Sequence, residues 1–284
     1  MCLIGCSPKN ILVEMQTKKS ALKTRRRARV RRITPFKVTA IAALVFLAGV
    51  CVGVATHYLA SMQAPKAAYP ITFTGENYRE ASSSIAAVRP DGLGIIATLT
   101  VRIGPGDGRI LVDTRPLVGF DFQYSHWIAV KVAAELTNTL LDNDGVGLQG
   151  ANVLFIVSSR VGEVEIQAVD GSSAGAAATI ATVAAIENKK VKEDVIITGT
   201  IGEDHKIGLV GGVAAKAKAA NDNGAKHFLV PKGQYVEVYE QVGMFTVVRH
   251  KPISYLQNYA AQQGWQVQIQ EVATIEEAAA LMLE

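Results

Sequence analysis

The hydrophobic pattern changes character along the chain, and each change predicts an element. Apolar residues run almost unbroken from residue 38 to residue 60, a length that suits a membrane-spanning helix. Short β-rich runs follow over residues 83–88, 94–103 and 109–113, separated by turns rich in glycine and proline. Their even spacing predicts a β-meander at the start of the globular part.

The second half alternates helical and strand patterns, which predicts a mixed α/β (α+β) fold without an internal repeat. Apolar positions three or four residues apart predict a helix over residues 124–141 with one buried side. An Ala-rich stretch predicts another over residues 174–188. The remaining predicted elements are helices over 213–221 and from about Thr274, and strands over 151–158, 164–169, 195–200 and 228–230.

Charge separates the beginning of the chain from its body. Residues 1–37 hold eleven of the 29 basic residues and one of the 25 acidic ones, so 18 basic and 24 acidic side chains remain in residues 38–284. Basic residues beside an apolar span mark the cytoplasmic side of a membrane. The predicted organisation is therefore a basic cytoplasmic tail (1–37), a single transmembrane anchor (38–60), a linker and lead-in (61–79) and an extracytoplasmic domain (80–284).

Two other interpretations of the N-terminal segment stay open. Small residues near Ala64 suit a processing site, in which case the apolar segment is a cleaved export signal and the domain is secreted. The basic run could instead be a nucleic-acid tail. The adjacent apolar span already explains the basic run, and an acidic body gains nothing from phosphate attraction. We therefore expect a membrane but no nucleic acid among the partners.

Cysteine usage and loop motifs exclude several kinds of site. All three cysteines lie within the first 51 residues, so the globular part has no disulfide, thiol nucleophile or thiolate metal site. The glycine run at 104–108 lies between two predicted strands and predicts a hairpin turn. The sequence contains no GxxxxGK[ST] phosphate loop, and ATP hydrolysis is therefore not expected. We expect neither a metal nor a cofactor.

Two residues of the globular part have chemistry worth weighing. Ser173 lies in a turn between a predicted strand and a helix, where unpaired backbone amides stabilise an oxyanion, although serine is also a common helix cap. Lys216 lies among small residues, and burial would lower its pKa enough to make it a base. A solvated lysine on an Ala-rich helix is the simpler interpretation. The five histidines give a Ser-His-Asp triad no positive support.

Three sequence blocks resemble the proteolytic domain of Lon-type serine proteases. They are DGSSAG at 170–175, Thr-Gly at 198–199 and IGLVGGVAAKAKAA at 207–220, in the family's order and spacing. The resemblance covers roughly residues 80–284. The arrangement of the chain is similar to that of archaeal Lon-like proteins. It implies a Lon proteolytic-domain-like fold, preceded here by one N-terminal transmembrane helix.

The resemblance also implies a role for each matched residue. Ser173 would be the nucleophile of a Ser-Lys dyad and Lys216 its general base, with Thr198 holding the lysine. Backbone amides near Ser173 would form the oxyanion hole. The residues implied to shape the turn are Asp170, Gly171 and Ala174. Two positions depart from the family pattern, because Ser172 replaces a usual proline and Ala215 a frequent acid.

The implied function is ATP-independent serine endopeptidase activity on peptides or unfolded proteins at the membrane. ATP independence follows because the resemblance does not include the ATPase and substrate-binding regions of Lon. The alternative is a non-catalytic Lon-like module that binds peptides or forms rings. A homo-oligomeric ring, usually hexameric in this family, is implied by the resemblance alone.

Overall fold

The computed structural model describes residues 35–62, 73, 77–159 and 168–284, and the chain divides into two units, Met1–Ala68 and Tyr69–Glu284. The first unit contains helix α1, Pro35–Met62. Most of the predicted basic tail and of the predicted linker lies outside the described residues. Within the part of the chain that is described, no helix has the length and hydropathy needed to cross a membrane. The predicted anchor over residues 38–60 therefore has no structural support.

The second unit combines strands and helices throughout. In chain order its described elements are β1 Arg79–Val88, β2 Gly94–Pro105, β3 Ile110–Val112, β4 Leu117–Val118, α2 Phe120–Leu136, β5 Ala151–Ser159, β6 Ala168–Val169, a 3₁₀ turn Ser172–Ala174, α3 Gly175–Glu187, β7 Val195–Ile197, β8 Thr200–Ile201, β9 Ile207–Gly208, α4 Val213–Asp222, β10 His227–Pro231, β11 Tyr235–Val242, β12 Phe245–Pro252, α5 Ile253–Gln262, β13 Gln268–Val272 and α6 Ile275–Met282. This confirms the mixed α/β prediction.

A mixed seven-stranded sheet in the order β13-β10-β7-β1-β2-β5-β3 forms the centre of this unit. β13, β10, β7 and β1 run parallel, whereas β2 is antiparallel to both β1 and β5. Helices α2, α3 and α6 pack on one face of the sheet, and α4 and α5 pack on the other. Adjacent residues such as Ile196 and Ile197 are both buried because both faces are covered.

Helix α3 is apolar on all sides because it lies between α2 and the sheet. Its residues from Gly175 to Ala185 are all buried. Small alanine side chains let the helix approach both neighbours closely. The buried hydroxyls of Thr179 and Thr182 donate to backbone carbonyls one turn earlier, so they are not left unpaired. The start of α3 packs closely on β8, where a Cβ added to Gly175 would lie 2.8 Å from Ile201 Cγ2.

Several predicted elements differ from the observed ones for identifiable reasons. The predicted meander is wrong beyond its first hairpin, because β5 occupies the free edge of β2 and β3 pairs in parallel with β5. The helix predicted over 124–141 ends at Leu136. Thr137 donates its hydroxyl back to Ala133 O, and Asn138 has a left-handed φ of 51°. Of the strand predicted over 164–169, residues 164–167 lie outside the described residues and 168–169 form β6.

Candidate active site

Three separate segments bring the predicted site residues together. Ser173 lies in the 3₁₀ turn that leads into α3. Thr198 lies in the gap between β7 and β8. Lys216 lies in the first turn of α4, where its backbone N–H donates to Gly212 O at 3.1 Å. The Ser173 and Thr198 segments each follow a strand, and Lys216 follows a glycine-rich loop.

The three side chains form a connected set of hydrogen bonds. Lys216 Nζ lies 3.0 Å from Ser173 Oγ and 3.3 Å from Thr198 Oγ1. Thr198 Oγ1 in turn donates to the backbone carbonyl of Ser173 at 3.4 Å. The threonine therefore contacts both the lysine and the serine segment. Its position fixes the amine beside the serine hydroxyl.

Backbone hydrogen bonds hold the serine turn against the threonine segment. Gly199 N donates to Ser173 O at 3.0 Å, and Ala176 N donates to Gly199 O at 3.1 Å. These bonds explain why the strand predicted over 195–200 is interrupted. Thr198 and Gly199 direct their backbone N–H groups to Leu229 and to the serine turn, so β7 ends at Ile197, and β8 pairs with β9 in a separate sheet. The interruption is part of the construction of the site.

The Lys216 amine is buried without a carboxylate partner among the described ion pairs. The residue is 4% exposed, and burial lowers its pKa from 10.5 to about 8. At pH 7 a pKa near 8 leaves about one amine in ten neutral, far more than for a solvated lysine. The charged amine donates to Ser173 Oγ. The neutral amine reverses the direction of that bond and accepts the serine proton. The geometry is that of a nucleophile paired with a base.

The residues predicted to shape the turn occupy distinct positions around Ser173. Gly171 has a φ of +97°, a conformation that favours glycine. Asp170 is exposed, and its Oδ1 accepts the Gly171 N–H at 2.7 Å. The Asp170 carboxyl group also packs over Gly119, where an added Cβ would lie 2.0 Å from Asp170 Cγ. Ala174 is 8% exposed and belongs to the core. Gly119 is a supporting residue that the sequence did not indicate.

Ser173 and Lys216 open into a cleft of about 680 Å³. Its walls are largely apolar, and β1 and β2 supply much of them. The apolar side chains that line it are Ile85, Ala87, Val88, Pro90, Ile95, Ala97, Ala168 and Val169. Sequence reasoning missed these residues. Alternation along the first predicted hairpin could have found part of them, since Ile85 pairs with Ala97 and Ala87 with Ile95.

Among the described residues of the second unit, no histidine lines the cleft that contains Ser173. The imidazole of His126 is buried in the core, where it contacts Phe122 O. His205 lies between the carboxylates of Glu135 and Glu276, and His250 stacks on a tyrosine. Within the described part of the chain, no three His, Cys, Asp or Glu side chains gather as a metal site requires. Among the described side chains, the amine that contacts the Ser173 hydroxyl is that of Lys216.

Comparison with known proteins places a family likeness on this same segment. Residues 164–245 match the family model of the Lon protease (S16) C-terminal proteolytic domain. The chain is 33% identical over 76 residues to the archaeal Lon protease of Methanocaldococcus jannaschii, covering 27% of this chain and 12% of that protein. It is 37% identical over 71 residues to the Lon protease of Fusobacterium nucleatum subsp. nucleatum, covering 25% and 9%. The match thus spans about a tenth of these relatives' length.

Replacing Lys216 by methionine is expected to stabilise the fold. Because the folded state lowers the pKa, burying the charged amine costs stability below pH 8, and this cost disappears above the unfolded pKa of 10.5. Lys216→Met should therefore gain up to about 3 kcal/mol at pH 7 and less than about 1 kcal/mol at pH 10. Urea unfolding at both pH values measures the difference.

Lys218→Met is the matched control, since Lys218 is exposed on the same helix and pairs with Asp222. It should change stability by no more than about 0.5 kcal/mol. A Lys216→Met variant that is no more stable than the parent at pH 7 would contradict the burial argument.

Proposed function

We propose that this chain is a serine endopeptidase in which Ser173 is the nucleophile and Lys216 the general base. The observation that carries the proposal is the 3.0 Å contact between Ser173 Oγ and the buried Lys216 Nζ inside an open apolar cleft. The match of residues 164–245 to the Lon proteolytic domain supports the same reaction class. The proposed reaction is hydrolysis of a peptide bond through an acyl-enzyme.

In the proposed first step, neutral Lys216 accepts the Ser173 proton while Oγ attacks the carbonyl carbon of the peptide. The oxyanion forms beside the backbone amides of the turn at the start of α3, where the helix dipole is also favourable. Collapse breaks the C–N bond, and Lys216 returns its proton to the departing amine. Thr198 keeps the amine oriented throughout by accepting one of its hydrogen bonds.

The second step repeats the same proton transfers with water. Lys216 takes a proton from a water molecule as the water oxygen attacks the ester carbonyl of the acyl-enzyme. Collapse of this intermediate breaks the bond to Ser173 Oγ, which regains its proton from Lys216. The product carboxylic acid leaves with one oxygen from water. No residue outside the set of Ser173, Lys216, Thr198 and the backbone amides is required for these transfers.

The cleft favours peptides or unfolded segments as substrates. Its apolar walls, which include Ile85 and Ala97, suit an aliphatic side chain next to the reacting carbonyl. Nothing in the proposed proton transfers uses a nucleotide. The proposal is therefore ATP-independent cleavage of chains that enter the cleft already extended. Assembly into a ring remains a prediction from the family resemblance.

Removing either member of the pair should abolish hydrolysis of a fluorogenic peptide. Ser173→Ala removes the nucleophile and should lower kcat by at least about 10³-fold. Lys216→Ala removes the general base and should lower it by about 10²–10⁴-fold. Ser172→Ala is the matched control, because it deletes the neighbouring hydroxyl and should keep activity within a few fold. Full activity in the Ser173 or Lys216 variant would exclude the dyad, whereas a parent protein that hydrolyses no peptide would favour a non-catalytic peptide-binding module.

The pH dependence of kcat/KM should report the Lys216 amine. Since only the neutral amine accepts the serine proton, kcat/KM should rise tenfold per pH unit and level off above an apparent pKa of about 8. The measurement is a pH series with a peptide that carries no titrating group in this range. A rising limb centred near pH 6.5 would indicate a histidine base and contradict the assignment.

Membrane attachment is a separate proposal that rests on the sequence of residues 1–60. The basic residues of 1–37 and the apolar run of 38–60 support a single anchor with the catalytic domain outside the cytoplasm. The full chain should sediment with membranes and resist alkaline extraction, whereas residues 61–284 alone should be soluble and active. Release of the full chain by alkaline washing would rule out an integral anchor.

A further inference from the structure

A second cleft adjoins the one that contains Ser173. Its volume is about 270 Å³, and it lies between the glycine loop before α4 and the strand β11. Val88, Gly211 and Gly212 line both clefts. Val88 and Gly212 touch each other, since a Cβ added to Gly212 would lie 2.6 Å from Val88 Cγ2. The two clefts therefore share a wall at this contact.

The second cleft is held in a fixed relation to the catalytic lysine. β11 and β12 form an antiparallel hairpin separate from the seven-stranded sheet. Gln234 lies at the base of this hairpin and is 2% exposed. Its side-chain amide hydrogen-bonds to both backbone polar groups of Val210. Its Oε1 accepts Val210 N–H at 3.0 Å, and its Nε2 donates to Val210 O at 2.9 Å. Val210 leads directly into the loop that precedes α4 and Lys216.

One face of β11 carries the chemistry of the second cleft. Tyr235, Glu237 and Tyr239 share this face because they alternate along the strand, and all three line the cleft. The Tyr235 ring stacks on His250 with ring centroids 4.1 Å apart. The Tyr239 hydroxyl donates to Glu237 Oε2 at 3.4 Å. Among the described residues that line this cleft, Glu237 carries the only charge.

The rest of the lining is aliphatic. Its apolar side chains are Val88, Val210, Val213, Ala214, Ala215 and Val236. A wall of valines and alanines that ends at a carboxylate between two tyrosines matches a long basic side chain. The aliphatic stem of lysine or arginine packs on such a wall, while its charged end meets the carboxylate and the aromatic faces. An acidic side chain would be repelled by Glu237.

We propose that the second cleft is a subsite for a lysine or arginine side chain of the substrate. The substrate lies extended from the Ser173 cleft, over the contact of Val88 with Gly212, into the second cleft. The valine and alanine wall holds the stem of the basic residue, and its charged end pairs with Glu237 between Tyr235 and Tyr239. The proposal rests on the proposed peptidase function and adds a preference at some distance from the bond that is cut.

Positional scanning of peptide substrates at pH 8, near the pKa of Lys216, tests the subsite. Peptides carry one lysine at successive positions on either side of the scissile bond, and a matched set carries norleucine instead. At one position lysine should raise kcat/KM over norleucine by about three- to tenfold. Glu237→Gln should abolish this preference, and Glu237→Lys should make glutamate preferred at the same position.

Glu240→Gln is the control variant, because Glu240 lies on the opposite face of β11 and pairs with Arg249. It should keep the lysine preference. Equal cleavage of lysine and norleucine peptides at every position would overturn the subsite, as would a preference that survives Glu237→Gln. A Glu237→Gln variant that instead changes the sedimentation of the protein would make the hairpin a self-association surface, which also overturns the proposal.

Failure of the proposed function gives a different result. In that case no peptide of either set is cleaved, or cleavage persists in Ser173→Ala. The subsite alone fails when cleavage depends on Ser173 but shows no lysine preference. The two outcomes are separated within the same set of assays.

Discussion

Burial of the Lys216 amine beside neutral hydroxyl groups is the constraint on which the site depends. A buried ammonium needs hydrogen-bond partners, and Ser173 and Thr198 provide them. A carboxylate partner would favour the charged form and keep the pKa high. Hydroxyl partners let burial alone act, which lowers the pKa toward the range where the amine accepts a proton. The same burial costs folding free energy, and the rest of the core must supply it.

The fold meets this constraint by bringing three separate segments together beyond the end of β7. β7 ends at Ile197, and the chain then turns its backbone groups toward the Ser173 turn instead of continuing the sheet. Helix α3 starts at that turn and is buried from Gly175 to Ala185 between α2 and the sheet. The turn therefore cannot move without disturbing the packing on both sides of α3. The precision of the pair therefore comes from the core. A catalytic contact built on mobile loops would not hold a lysine out of water.

The hairpin of β11 and β12 extends this arrangement outward. Gln234 links its base to the loop before α4, so the hairpin and the lysine helix share a support. The face of β11 that carries Glu237 adds one carboxylate to the otherwise uncharged lining of the second cleft. An apolar cleft binds many peptides weakly because aliphatic contacts are not directional, whereas a carboxylate between aromatic rings distinguishes side chains by charge. In the proposed function, cleavage and substrate selection thus use two adjoining clefts.

The sequence indicated the mixed α/β class, several of the helices and the serine and lysine that the fold brings into contact. Helical and strand periodicities are local properties, and the spaced blocks around Ser173 and Lys216 resemble a known family pattern. Other features required the tertiary structure. Contacts between distant segments place β5 between β2 and β3 and pack Asp170 over Gly119. They also bring Glu237 into the lining of the second cleft. Local sequence does not record such contacts, because strand pairing and packing are settled by burial of the whole core.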